Sequence, residues 1–95
     1  MASVTKSISA ANTWSDPIEI RGNFDLSIAG TFSATVSVQR SFDGGSTWND
    51  VDTFTAPIET FGSQPHYAKY RVGVASGDYT SGTANVALYE EDLSA

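Results

Sequence analysis

The sequence predicts an all-β fold: an antiparallel β-sandwich of about seven or eight short strands, Ig-like or jelly-roll in plan. Three observations carry this reading. Apolar and polar residues alternate at period two in several separate runs, which is the strand signal. Turn-forming residues separate these runs about every ten residues, the spacing of sandwiches and barrels. No segment holds apolar residues at helical spacing over three turns. Strands with one apolar face each require a second layer to cover them.

A weak strand signal opens the chain near Val4 to Ile8. Ile18 and Ile20 alternate with Glu19, then Phe24, Leu26 and Ile28 alternate with Asp25 and Ser27. Gly22-Asn23 separates the two runs, so a bulge or tight turn is expected there. Phe32 to Gln39 is the clearest strand, with Phe32, Ala34, Val36 and Val38 on one face. A strand from Thr47 to Thr55 carries Trp48, Val51 and Phe54 at irregular spacing, which predicts a bulge. Residues 56 to 68 read as a long irregular loop of the kind that often binds. Tyr70, Val72 and Val74 form the next strand, and Ala84, Val86 and Leu88 the last.

Length and charge narrow the functional classes. With 95 residues the chain holds one domain, 1–95, expected to stand alone, with an N-terminal arm over 1–12 and an acidic tail over 90–95. There is no cysteine, so neither disulfides nor a thiolate metal site supports so small a core. Association with copies of itself or with a partner surface is one remedy. The formal net charge is −6, and Lys6, Arg21, Arg40, Lys69 and Arg71 form no basic stripe. Nucleic acid and anionic membranes are therefore not expected partners. The N-terminus lacks the apolar stretch of a secretory signal, and no apolar run is long enough to span a bilayer.

One motif stands out. Ser41-Phe42-Asp43-Gly44-Gly45-Ser46-Thr47-Trp48 matches the Asp-box pattern Ser-x-Asp-x-Gly-x-Thr-Trp at every defined position. Asp43 can close the turn by accepting from the backbone two residues on, and Gly44 and Gly45 can supply positive φ. Trp48 can fold over the turn, with Ser41 and Thr47 flanking it. Turn chemistry accounts for Ser41, Asp43, Gly45, Thr47 and Trp48 as a structural hairpin, and a single box in a chain this short does not indicate a glycosidase.

The stretch Phe32 to Val51 around this box resembles a pattern in short proteins of tailed bacteriophages, and Tyr70 to Val74 and Tyr79 to Ala84 resemble their closing strands. The likeness covers roughly residues 14 to 89 and is similar to small virion accessory proteins of the head-decoration (cement) type. It implies a non-enzymatic structural protein that decorates and stabilises a phage capsid surface. The implied partner is a capsid or other virion protein, with self-association as a trimer. The implied location is the virion, after synthesis in the host cytoplasm. A carbohydrate-binding or tail-fibre adhesin module is the alternative, with a glycan as ligand. The resemblance brings no catalytic residues and no cofactor.

His66 is the only histidine and has no nucleophile motif near it, so no catalytic relay is built on it. Asp43, Asp50 and Asp52 could contribute to a Ca²⁺ site if Asp50 and Asp52 share a face, but the spacing is not that of an EF-hand, and solvated acids explain it equally. Neither a metal nor a cofactor is expected. The candidate partner contacts are Trp14, Phe61, His66, Tyr67 and Tyr79, which fall in or near expected loops and strand ends.

Overall fold

A computed structural model describes residues 3–90. Among the described residues the chain is all-β and every strand pairing is antiparallel, with nine strands where seven or eight were expected. These are β1 (Ser3–Ile8), β2 (Thr13–Trp14), β3 (Ile18–Ala29), β4 (Phe32–Ala34), β5 (Val36–Ser41), β6 (Asn49–Phe54), β7 (Ile58–Val74), β8 (Tyr79–Gly82) and β9 (Ala84–Glu90). Two of them are not short: β3 has 12 residues and β7 has 17. Seven strands form one sheet in the order β1-β9-β3-β7-β5-β6, with β2 on β7 as a side branch, while β4 and β8 pair separately.

The long strands let this sheet fold upon itself. Between Ile20 and Gly22 the register of β3 against β7 jumps, so Pro65, His66 and Tyr67 lie opposite Arg21 alone. Extra residues on one strand bend it and raise its twist. The first part of β7 continues the layer of β1, β9 and β3, and its last part carries β5 and β6. The two ends of the sheet then face each other as the layers of a sandwich. The molecule measures 39 × 26 × 17 Å, and its shortest dimension accommodates two layers about 10 Å apart.

The core is the set of inward positions that period two picks out. Ile18, Ile20, Leu26 and Ile28 of β3 are buried, with Val36 and Val38 of β5, Ala68, Tyr70, Val72 and Val74 of β7, and Ala84, Val86 and Leu88 of β9. Ile8 of β1 joins them, so residues 3–8 of the expected arm form an edge strand against β9. Phe32, Ala34 and Tyr79 pack on this core from the small β4–β8 sheet and close one end. Of the expected tail 90–95, Glu90 ends β9, and residues 91–95, like Met1 and Ala2, lie outside the described residues.

The structure corrects three expectations. Residues 58–68 are not a loop; they form the first part of β7. Gly62 and Pro65 disguise the strand, yet Pro65 falls in the bulge, where its missing N–H costs no ladder bond. The run Phe32 to Gln39 is two strands, because the chain crosses between sheets at Thr35, whose N–H donates to the Asp78 carbonyl (2.9 Å). Asp50 and Asp52 do not share a face. A bulge in the β5–β6 ladder sets Asp50 opposite outward Gln39 and Asp52 opposite buried Val38.

Candidate functional site

The Ser41–Trp48 turn joins β5 to β6 and is closed by side chains. The buried Ser41 hydroxyl donates to Asp43 Oδ1 (2.7 Å) and accepts from the Gly45 N–H (2.9 Å). Asp43 Oδ1 also accepts from the Thr47 N–H (2.8 Å), four residues on rather than two. Gly44 and Gly45 have φ of 77° and 103°, a region that residues with a Cβ rarely occupy. The Trp48 ring lies over Gly45, since a Cβ there would sit 3.6 Å from Trp48 Cζ2. Donation by Ser41, then by the backbone and hydroxyl of Thr47, holds the Asp43 carboxyl down at about 2.

The turn also delivers Trp48 to a stack on the outer face. The Arg71 guanidinium of β7 sits 4.4 Å from the Trp14 ring centroid and 4.5 Å from that of Trp48, between two indoles. Its Nε donates to Gln39 Oε1 (2.8 Å), and Gln39 Nε2 donates to Asp50 Oδ1 (2.8 Å). Arg71 and Gln39 are register partners on β7 and β5, and Gln39 and Asp50 on β5 and β6. Burial pushes the guanidinium pKa down, and cation–π contact offsets the lost hydration. Beside it Trp14 backs onto Gly73. A Cβ on Gly73 would lie 2.7 Å from Trp14 Cα, so only glycine lets β2 lie this close to β7.

The five candidate contact residues do not converge. Trp14 is half-buried in β2 with Arg71 stacked on its ring. Tyr79 opens β8, packs on the core and donates its hydroxyl to the Gly82 carbonyl (2.9 Å). Tyr67 and His66 are exposed in the β7 bulge, where the Tyr67 hydroxyl donates to Glu19. Phe61 is different: it lies mid-strand in β7 and is 80% exposed.

Phe61 has neighbours that the sequence did not single out. Register places Phe61, Asp25 and Tyr89 side by side across β7, β3 and β9 on the outer face. Ser27 and Glu59 form a hydrogen-bonded pair in the adjoining row. These residues line a shallow depression of about 390 Å³ together with Leu26 and Thr60. Val51, Ile58 and Phe42 are also exposed large apolar side chains, with Arg40 stacked over Phe42 at 4.8 Å. Extending the period-two reading through residues 58–64 would have placed Phe61 outward; reading the segment as a loop hid it.

Among the described residues, no group of three or more His, Asp or Glu side chains is arranged to hold a metal ion. Among the same residues no helix is long and apolar enough to cross a membrane. Comparison with known proteins finds no matching family model, no matching curated protein and no matching solved structure.

Proposed function

We propose that this chain is a non-enzymatic structural protein that decorates a virion surface and stabilises a phage capsid. The observation that supports this reading is the placement of large apolar side chains in solvent. Phe61, Val51, Ile58 and Tyr89 all lie on strands, held in place by the ladder rather than on a loop tip. A domain of 95 residues that leaves such groups exposed gains stability when a partner covers them. A protein that binds the assembled shell and not its dispersed subunits stabilises the particle by mass action. The net charge of −6 keeps the unbound protein soluble and suits a shell surface carrying basic patches. Clustering as trimers at symmetry axes belongs to the same proposal.

The deciding experiment is co-sedimentation of the purified protein with mature phage heads that lack it, titrated to saturation. Saturable binding at a fixed ratio to the shell protein, with greater resistance of the heads to heat, supports decoration. No binding at concentrations well above that of the shell subunits removes it.

A second reading is a glycan-binding module, favoured by the row Phe61, Asp25, Tyr89. Aromatic rings can stack on the apolar face of a sugar while a carboxylate accepts from its hydroxyls. A glycan array followed by calorimetry on F61A tests it: a hit that F61A abolishes supports the module, and a blank array removes it.

A further inference from the structure

Two strand edges without partners flank one apolar slot. Residues 58–64 of β7 pair with β3 on one side only, because β5 joins β7 from Lys69 onward. Among the described residues strand β6 pairs only with β5. Among the described residues, neither edge pairs with the other or with any further strand. Between them lies a groove of about 190 Å³. Its floor is Phe24, Leu26, Val38 and Tyr70, and its rims carry Val51 and Phe61. The Phe24 ring sits against Tyr70 at 4.9 Å, and a Cβ on Gly62 would meet that ring at 2.7 Å.

Folded proteins blunt free edges with lysine, proline or a covering element. Here one rim carries an outward phenylalanine, and neither Asn49–Phe54 nor Ile58–Gln64 contains a Lys or Arg. The charges beside the slot are acidic. Asp52 faces the groove from β6, and Asp25 and Glu59 lie beside Phe61. A second copy of either edge would bring carboxylate to carboxylate and no cation. A basic strand would meet complementary charge at both rims.

We propose that this slot takes an added β-strand from a partner protein: an extended segment with alternating apolar residues, flanked by lysine or arginine. Main-chain hydrogen bonds to the β6 or β7 edge hold it, alternate side chains enter the groove, and Asp52 selects the cation. The inference rests on the reading of the chain as a docking protein, and not on the identity of the shell.

The test uses the full chain and three labelled nonapeptides, read by fluorescence anisotropy. One is Lys-Lys-Val-Thr-Val-Thr-Val-Lys-Lys, the second has Glu in place of every Lys, and the third has Pro at the central Val. The lysine peptide is expected to bind saturably at one per chain, the other two at least about tenfold more weakly. F61D should weaken the lysine peptide about tenfold, and D52K should narrow or reverse the preference for lysine over glutamate flanks. Both positions are exposed, and a melt of each variant verifies folding. No saturable binding, equal binding of the lysine and glutamate peptides, or indifference to both variants overturns the proposal. So does a dimer of the free protein, seen by light scattering, that F61D dissociates, because the slot then serves a second copy. Repeating head co-sedimentation with the variants separates the two readings. Undiminished head binding by F61D and D52K leaves decoration standing without the slot. Peptide binding without head binding leaves the slot and removes the shell.

Discussion

Replacing Arg71 with methionine keeps the aliphatic stem and removes the guanidinium from between Trp14 and Trp48. Two cation–π contacts, at 4.4 and 4.5 Å, are lost. In a half-buried setting each contributes about 0.5–1 kcal/mol. The hydrogen bond from Arg71 Nε to Gln39 is lost as well, and as a bond to a charged donor it contributes about 1.5 kcal/mol. Part of this returns when Gln39 is solvated, so R71M is expected to destabilise the fold by about 2 kcal/mol. In a domain of 95 residues that lowers the melting temperature by roughly 8–16 °C. Urea unfolding followed by tryptophan emission measures it directly, because both indoles change environment. A cycle pairing R71M with W14L should show coupling of about 0.5–1 kcal/mol, and R71K should fall between wild type and R71M, since an ammonium lacks the planar face. A loss below about 0.5 kcal/mol in R71M, or no coupling in the cycle, would refute the claim that the stack holds this face together.

Three further outcomes test other parts of the structure. G73A forces a Cβ against Trp14 Cα and should cost about 2–3 kcal/mol in thermal unfolding, with β2 displaced from β7; a wild-type melt would show that β2 does not lie this close. Asp43 titrates at about 2 when folded, below its ordinary 3.8, so its turn bonds add stability above the unfolded value and lose it as pH falls through the folded one. A carboxyl-detected NMR titration should find that midpoint, and S41A should raise it; an Asp43 midpoint near 4 in the wild-type protein contradicts the bonding. Gln64 is buried and accepts from the Tyr70 hydroxyl at 2.6 Å. Q64L strands that hydroxyl and should cost about 1–3 kcal/mol by denaturant unfolding, with Y70F in the Q64L background recovering part of it.

Ile18, Ile20, Leu26, Ile28, Val72, Val74, Val86 and Leu88 were legible as inward positions because side chains alternate across a strand whatever its neighbours are. The Ser41–Trp48 turn was legible for a similar reason, since its bonds run between residues at most four apart in sequence. Residues 58–68 were not legible. Their local signals, Gly62 and Pro65 above all, favour a loop, and only the ladder to β3 extends them. The same holds for the faces of Asp50 and Asp52, which a single bulged residue separates.

What the sequence determined by itself, then, is the all-β class, the inward face of most strands and the chemistry of one turn. All three depend on interactions within a strand or across a few residues. The tertiary structure decided that β7 runs unbroken past Pro65, that Arg71 stands between Trp14 and Trp48, and that Phe61 and Val51 border one slot. Each of those depends on strand order and register. Both are set by pairing between segments far apart in the chain, where one residue of slip changes which side chains meet.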